Sequence, residues 1–284
     1  MSVLSIHSHV SFGHVGNSSA VFALQRLGHE VWPVHVLQYS NHPGYGEFGG
    51  GHIAPEHVAS TLAGVQKRGG YESLRAVLTG YLPSDEHVSV VAEALREIRA
   101  VNPNALIVCD PVLGDEETGL YVNPKAAAAT REQLVGLADL MTPNRFELGF
   151  LLDIPSPPRN AVVSSARKLI ERGPRWVVVT GVENGQEHIE TRVVDPRHEY
   201  VVTTPRLDLG RRPDGAGDLL VASCLGQHLA GHSMANAVAR AVSSTYAILD
   251  VARQRGLREL PIIERQEDLI APTTQFIPIP GSAK

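Results

Sequence analysis

Strand-sized apolar segments alternate with longer segments of helical periodicity along most of the 284 residues. The apolar segments predict strands at Ser2–Ser8, Glu30–Gln38, Leu74–Gly80, Ala105–Asp110, Asp139–Pro143 and Trp176–Gly181. Near-continuous apolar strands that are joined through helices are typical of a parallel sheet buried on both faces. The alternation therefore predicts an α/β fold with a mostly parallel central sheet and helices on both faces.

Helical periodicity and capping residues place the predicted helices between these strands. They run over 17–27, where Asn17 or Ser18 would cap the start, and over 55–67, 84–101 and 124–137; another opens near Asn144, and most of 215–255 is helical. Two later segments, 188–195 and 198–204, predict an antiparallel hairpin, and Pro33 places its strand at an edge or a bulge. Neither a long linker nor an internal repeat is visible, so we expect a single domain over residues 1–284.

Composition narrows the possible function classes. The formal charge is −5 with histidine neutral, and the absence of a basic patch disfavours nucleic-acid binding. The apolar runs are strand-sized, far from the roughly 18–20 residues of a membrane span. The start lacks the pattern of a secretory signal, so we expect a cytoplasmic protein in which Cys109 and Cys224 are buried free thiols.

Residues at the predicted strand ends are the first candidates for a site, because ligands of such sheets bind beyond the carboxyl ends of the strands. Most of these residues are small, polar or acidic: Ser8, Gly80, Tyr81, Asp110, Thr142, Pro143, Asn144, Thr180 and Gly181. They suit phosphate groups and a cation.

The strongest local motif is Gly215-Ala216-Gly217-Asp218, which directly precedes an apolar helix. Amide N–H groups at a helix start carry partial positive charge, and glycine lets a backbone approach an anion closely. In one interpretation these amides bind a transferring phosphoryl group, while Asp218 orients an alcohol and accepts its proton late. In the other, Asp218 caps the helix and the glycines only form a turn.

Two further carboxylates follow predicted strands. Asp110 ends a buried strand before Pro111 and is placed to hold a hydrated Mg²⁺. Glu147 follows Asn144 by three residues, a spacing that also suits a simple capping box. Because Asp110, Glu147 and Asp218 map to one edge of the sheet, their gathering favours a cation site or a proton-transfer role.

A Gly-x-Gly-x-x-Gly sequence at Gly44–Gly49 is not interpreted as a dinucleotide site, because it lies past a strand and opens no helix. Residues 39–52 are instead expected to form a mobile loop over a pocket, or an ordinary surface loop. The histidines, including His7 and His9 on the first strand, carry no pattern that predicts a role.

Several segments resemble one known family in the right order: SIHSHVSFGHVGNSSA, QYSNHPGYG, LTGYLPSD, VCDPVLGD, LMTPNRFEL, VVVTG and DGAGDLLVA. From Ser5 to about Ala222 the chain resembles the pyridoxal kinase family of the ribokinase-like superfamily. The final G-[AT]-G-D pattern is shared by the whole superfamily, whereas the first two segments are more particular to pyridoxal kinases. The resemblance implies a ribokinase-like fold and ATP-dependent phosphorylation of the 5′-hydroxymethyl group of pyridoxal, and of pyridoxine or pyridoxamine, in vitamin B6 salvage.

The resemblance also implies residue roles. Asp218 would be the general base, and Gly215, Ala216 and Gly217 the anion hole. The substrate-binding positions would be Ser8, Val15, Leu37, Tyr39, Pro43, Gly44, Tyr81 and Asp218. The ATP-binding positions would be Asp110, Tyr121, Thr142, Asn144, Glu147, Thr180, Gly181, Arg211, Arg212, Pro213 and Asp214, with a nucleotide-covering loop over 205–214. Asp110, Thr142 and Glu147 would lie near Mg²⁺, and a monovalent cation and a homodimer are also implied.

Two positions depart from the family pattern. Pro43 stands where threonine is usual, so one polar substrate contact is lost or replaced. Thr180 stands where some bacterial members carry lysine, which leaves less positive charge beside the phosphates. The alternatives are a kinase for another hydroxymethyl heterocycle such as hydroxymethylpyrimidine, or a non-catalytic protein that binds the vitamer; an NAD enzyme ranks third.

Overall fold

The computed structural model describes residues 2–210 and 213–281. Its strands are β1 (Ser2–Val10), β2 (Glu30–Tyr39), β3 (Gly50–His52), β4 (Leu74–Thr79), β5 (Leu106–Cys109), β6 (Gly114–Asp115), β7 (Gly119–Leu120), β8 (Leu140–Met141), β9 (Trp176–Asn184), β10 (His188–Val194), β11 (Glu199–Pro205) and β12 (Ile279–Pro280). Its helices are α1 (Asn17–Arg26), α2 (Pro55–Lys67), α3 (Gly70–Ser73), α4 (Asp85–Val101), α5 (Pro124–Ala129), α6 (Arg145–Leu152), α7 (Val162–Ile170), α8 (Ala216–Leu229) and α9 (Met234–Arg255).

Across residues 2–210 and 213–281, ten strands form one sheet in the order β12-β11-β10-β9-β8-β5-β4-β1-β2-β3. Within the described residues, the six central strands from β9 to β2 are parallel to one another. Antiparallel strands flank them: β3 pairs with β2 at one edge, and β10, β11 and β12 follow β9 at the other. The predicted α/β class, mostly parallel sheet and 188–204 hairpin are confirmed.

Helices cover both faces of the sheet. Side chains alternate along β1, so Leu4 and Ile6 pack into one core with α2, α4, α5, α6 and α7. Val3 packs into the other core with α1, α8 and α9. Burial on both faces explains why the central strands read as continuous apolar runs rather than as alternating ones.

Several predicted element bounds are confirmed. Helix α2 begins and ends where predicted, with Pro55 in the first turn, where a missing N–H does no harm. Helix α4 begins after Ser84, whose hydroxyl accepts the His87 N–H. Pro33 lies at the sheet edge as predicted, because β3 pairs with β2 only at Leu37–Tyr39.

Two predictions about helices are wrong. The predicted helix over 124–137 is α-helical only to Ala129, and a π-helical turn (Thr130–Leu134) and a 3₁₀ turn (Val135–Leu137) follow. The wider turn brings the adjacent Leu134 and Val135 both into the core. Helix α1 has no side-chain cap, because Asn17 is buried and bonds Ser5 instead.

Cys109 and Cys224 are both free and buried, as predicted. Burial raises the pKa of each thiol to about 12. None of the helices in the described residues combines the length and the apolar composition that crossing a membrane would require.

Candidate active site

The carboxylate of Asp218 lies in the first turn of α8 and points away from its own helix. Gly215 is the cap residue of α8, with φ of 88°, and no side chain caps this helix. Oδ2 of Asp218 accepts a hydrogen bond of 2.6 Å from the N–H of Gly16, in the loop after β1. Asp218 therefore links α8 to the β1–α1 loop by a hydrogen bond. Because no side chain caps α8, the interpretation of Asp218 as a simple helix cap is wrong.

The glycine before α8 is required by its surroundings. A Cβ added at Gly215 would overlap the carbonyl oxygen of His14 and lie 3.2 Å from Cα of Val15, and its φ disfavours any side chain. The space around Gly217 is open, with no atom within 4 Å of an added Cβ. The amides of Gly215, Ala216 and Gly217 thus lie at a helix start beside Asp218, where N–H groups lack intrahelical partners.

The loop between β1 and α1 forms one wall beside Asp218. Gly16 forms a bridge with His9 and packs so closely on Ser8 that an added Cβ would overlap the Ser8 hydroxyl and carbonyl oxygens. The predicted substrate residue Ser8 is therefore next to the glycine that binds Asp218. Val15, also predicted, is buried in this loop, one residue before Gly16.

Asp110 and Thr142 meet at the carboxyl ends of β5 and β8. The Thr142 hydroxyl donates a hydrogen bond of 2.8 Å to Oδ1 of Asp110. Burial, together with the nearby charges of Glu147 and Asp218, raises the pKa of Asp110 to about 8. Asp110 is therefore a buried carboxylate with two other carboxylates, Glu147 and Asp218, in its neighbourhood.

Glu147 forms the capping box that the sequence allowed. Its Oε2 accepts the Asn144 N–H at 2.8 Å, while the Asn144 side chain accepts the Glu147 N–H. Its Oε1 accepts the N–H of Leu113 at 2.8 Å. Burial raises the pKa of Glu147 to about 7, although these amides oppose the shift. Glu147 is therefore both a structural cap and a buried carboxylate near Asp110.

The segment after Asp110 has an unusual backbone. Val112 has φ of 47°, a left-handed conformation that is a genuine outlier for a β-branched residue. The N–H of the next residue, Leu113, is the one that binds Glu147. Nothing in the sequence pattern predicted this conformation.

Thr180 and Gly181 are brought to the same edge by a bulge rather than by a strand end. Strand β9 continues to Asn184, so the strand end predicted at Gly181 is wrong. The register against β10 shifts between Glu190 and Arg192, opposite these two residues, and Gly181 has φ of 66°. Thr180 bridges to Asn144, which places both beside the predicted phosphate region.

The predicted ring-binding residues line the end of β2 and the turn after β4. Leu37 is buried, whereas Tyr39 and Tyr81 are half-buried. The ring of Tyr39 packs on Phe48, with centroids 4.6 Å apart. These apolar and aromatic groups could form a pocket wall for a flat heterocycle.

We call residues 40–49 the flap, since β2 extends to Tyr39 and β3 occupies 50–52. Pro43 and Gly44 lie in a 3₁₀ turn at its tip. Two residues that follow α9 hydrogen-bond to this turn. Arg258 donates to the Gly44 carbonyl at 2.6 Å, and Glu259 accepts from the Tyr45 hydroxyl. Their sequence separation from the flap, 214 residues, explains why sequence reasoning missed them.

The predicted nucleotide-covering loop is only partly visible. Arg211 and Arg212 lie outside the described residues. Asp214 contacts the flap, with Oδ2 3.0 Å from Nδ1 of His42. Pro213 is buried two residues before Gly215. Tyr121 is half exposed and is tied to the Asp110 segment by its N–H, which donates to Leu113 at 3.0 Å.

His7 is a site residue that the sequence analysis missed. It is buried on β1, and its Nε2 lies 3.1 Å from Oδ1 of Asp218. Side-chain alternation places it on the same face of β1 as Val3, which packs in the core that contains α8. Side-chain alternation along β1 could have predicted that His7 is buried. It could not have predicted the contact with Asp218, which depends on where α8 packs.

A family model for phosphomethylpyrimidine kinase matches residues 52–262. Pyridoxal kinase PdxY of Corynebacterium diphtheriae is 39% identical over 279 residues, which is 97% of this chain and 98% of that protein. The chain belongs to the pyridoxal kinase family. Another relative, pyridoxal kinase PdxY of Rubrobacter xylanophilus, is 40% identical over 97% of this chain and 96% of its own length.

Solved structures of this family have the same fold. Pyridoxal kinase from Leishmania donovani, in complex with ADP and pyridoxamine, superimposes with a TM-score of 0.92 at 27% identity and 99% coverage of both chains. Pyridoxal kinase from Entamoeba histolytica gives a TM-score of 0.90 at 26% identity, again with 99% coverage of both. The ribokinase-like fold implied by the sequence is therefore confirmed.

Proposed function

We propose that this chain is an ATP-dependent pyridoxal kinase that phosphorylates the 5′-hydroxymethyl group of pyridoxal, and of pyridoxine or pyridoxamine, in vitamin B6 salvage. The observation that carries the proposal is the position of Asp218. Its carboxylate is held by Gly16 in the first turn of a helix whose glycine-rich start exposes amide donors. A proton acceptor and a phosphoryl-binding cradle are therefore adjacent, as alcohol phosphorylation requires.

The chemistry follows from this adjacency. The amides of Gly215, Ala216 and Gly217 would stabilise charge on the transferring phosphoryl group, where preorganised donors are most effective. An aspartate is a weak base for an alcohol, but a loose phosphoryl-transfer transition state keeps the proton on the hydroxyl until late. Asp218 would therefore orient the hydroxyl and accept its proton as the phosphorus–oxygen bond forms.

Substrate would lie between the β1–α1 loop, the end of β2 and the flap. Ser8 would hydrogen-bond the pyridine ring, and the apolar and aromatic wall would be Val15, Leu37, Tyr39 and Tyr81. Pro43 and Gly44, at the flap tip, would cover the ring and exclude water, which limits wasteful ATP hydrolysis. Pro43 supplies neither an N–H nor a hydroxyl to the substrate.

ATP would lie along the edge formed by the loops after β5, β8 and β9. The residues that would contact it are Asp110, Tyr121, Thr142, Asn144, Glu147, Thr180, Gly181, Arg211, Arg212, Pro213 and Asp214. Support comes from the contacts of Asn144, which bridges Thr180 and caps the helix that carries Glu147. ADP is bound in the pyridoxal kinase structure from Leishmania donovani.

The carboxylates beside this edge fit Mg²⁺. Mg²⁺ favours one or two carboxylates together with phosphate oxygens. Asp110 is the best direct ligand, because both oxygens of Glu147 already accept backbone N–H groups and Thr142 donates to Asp110. Among the described residues no group of three His, Cys, Asp or Glu side chains could hold a metal, so ATP and water would complete the coordination. Bound Mg²⁺ would neutralise phosphate charge.

The remaining family expectations are part of the proposal. The chain would act as a single domain in the cytoplasm and as a homodimer, and a monovalent cation would assist ATP binding. The segment over 39–52 and the loop over 205–214 would move to admit and enclose the two substrates.

One specific observation favours a second substrate, hydroxymethylpyrimidine: the matching family model describes phosphomethylpyrimidine kinase. That match begins at residue 52 and so leaves out Ser8, Val15, Leu37 and Tyr39, the residues proposed to face the substrate ring. The PdxY relatives match 97% of the chain, a share that includes most of these first 51 residues. This difference in coverage favours pyridoxal.

Purified protein incubated with each alcohol and ATP tests the proposal directly. Mass spectrometry should detect the 5′-phosphate of pyridoxal only when ATP is present, and kcat/KM should be higher for pyridoxal than for hydroxymethylpyrimidine. Higher kcat/KM for hydroxymethylpyrimidine would favour the second substrate. Binding of pyridoxal without any phosphorylated product would point to the non-catalytic alternative.

A further inference from the structure

The two oxygens of the Asp218 carboxylate have different neighbours. Oδ2 accepts the Gly16 N–H at 2.6 Å, which fixes one end of the group. Oδ1 faces Nε2 of His7 at 3.1 Å. This contact is not a complete hydrogen bond, because Nε2 has no hydrogen-bond partner within the described residues. A small rotation of either side chain would complete a hydrogen bond, and such contacts tighten when substrates bind.

The protonation of His7 follows from its other nitrogen. Nδ1 accepts the backbone N–H of Ser8 at 2.8 Å, and a nitrogen that accepts must carry a lone pair, so the Ser8 hydroxyl, 3.1 Å away, would also donate to Nδ1. The proton of the neutral imidazole is therefore on Nε2, the atom that faces Asp218. His7 thus offers an N–H donor to the carboxylate.

The ring of His7 is held in place by packing. His7 is 2% exposed and lies on β1, with its ring beside the end of β4. A Cβ added at Gly80 would overlap this imidazole, lying 2.6 Å from Cε1. The absence of a side chain at Gly80 is therefore what leaves room for the ring opposite Asp218.

We infer that His7 is a positioning residue that holds the Asp218 carboxylate in the orientation in which it accepts the proton of the substrate hydroxyl. The inference rests on the proposed role of Asp218 as the base. Once the His7 hydrogen bond is complete, Gly16 on one oxygen and His7 on the other would oppose rotation of the carboxylate away from the start of α8. Such a residue acts through Asp218 and touches neither substrate.

The test compares two variants at this position. His7→Leu removes the donor and keeps the bulk, so kcat should fall at least about tenfold, while KM for pyridoxal and for ATP stays within about threefold. His7→Gln restores an N–H donor of similar reach and should recover kcat to within about threefold of the wild type. A rise in KM with unchanged kcat in His7→Leu would overturn the inference. So would a His7→Gln variant whose kcat does not recover.

A matched control is a second buried histidine that contacts α8. His29 is also buried, and its Nε2 lies 2.9 Å from the Gly226 carbonyl of α8, remote from Asp218. His29→Leu should lower Tm without lowering kcat. If His29→Leu reduces kcat as strongly as His7→Leu does, then His7 has only a structural role.

A double variant separates this inference from the proposed function. In an Asp218→Asn background, His7→Leu should leave the residual rate unchanged, because the group that it positions has been removed. An equal loss in both backgrounds would overturn the inference while leaving Asp218 as the base. Wild-type activity in Asp218→Asn alone would instead refute the base assignment.

Discussion

Gly215→Ala is the substitution whose effect the structure determines most closely. The new methyl group would overlap the His14 carbonyl oxygen and lie 3.0 Å from its carbonyl carbon, and φ of 88° would be imposed on alanine. A left-handed φ costs an alanine about 1–2 kcal/mol, and relieving the overlap adds a similar amount. For a domain of this size, a total of about 2–4 kcal/mol lowers Tm by roughly 3–7 °C.

The turnover rate of Gly215→Ala should also fall, because the β1–α1 loop holds the Asp218 carboxylate through Gly16. Relief of the overlap requires a shift of roughly 1 Å between this loop and α8, and misplacement on that scale costs about 100-fold in rate. Thermal melts and steady-state kinetics with pyridoxal and ATP measure the two effects.

Gly217→Ala is the matched control for stability. Its new methyl group would meet open space, so Tm should stay within about 1 °C of the wild type. If Gly215→Ala keeps the Tm and the turnover rate of the wild type, then an added Cβ at Gly215 does not clash with the His14 carbonyl group and the argument is refuted.

Two further predictions concern the carboxylates and the flap. The pKa of Asp110 is raised to about 8 and that of Glu147 to about 7, so the folded protein keeps protons that the unfolded chain releases. The free energy of unfolding should therefore fall from about pH 4 to about pH 8, by at most about 1.4 kcal/mol per pH unit for each group. Urea unfolding in EDTA should show a shallower fall for Asp110→Asn, and parallel profiles would contradict the assignment. Glu259→Gln weakens the hydrogen bond from the Tyr45 hydroxyl, which holds the flap in place. Because the flap is proposed to cover pyridoxal, KM for pyridoxal should rise about tenfold with little change in KM for ATP. Glu264→Gln, in an exposed pair away from the flap, is its control, and equal KM values for the two variants would reject a role for the fastened flap.

The central layers of the fold were predictable because local signals and tertiary structure agree there. Central strands buried on both faces are continuous apolar runs, and Pro55 marks a helix start that tertiary packing does not change. The capping box of Asn144 and Glu147 was also visible, since its two residues are three apart.

Features that depend on distant contacts were not predictable in this way. The bulge at Gly181 is defined by pairing with β10, and the left-handed φ of Val112 accompanies a bond from Leu113 to Glu147. Sequence spacing likewise could not show that His7 would face Asp218, because the two are brought together only when α8 packs on β1.

The candidate site was predicted largely through family resemblance, and the structure adds reasons for its arrangement. The resemblance implied that Asp218 is the base beside an anion hole, while the hydrogen bond from Gly16 shows how the carboxylate is held there. Without the resemblance, the helix-cap interpretation of Asp218 would have remained open until the geometry of α8 was known.

The most direct measurement compares the wild type with Asp218→Asn for two quantities, the ATP-dependent rate of pyridoxal 5′-phosphate formation and the Kd for pyridoxal. If the carboxylate accepts the hydroxyl proton, turnover should fall by at least about 100-fold, while Kd changes by no more than about threefold. A variant that turns over within a few-fold of the wild type would contradict the account.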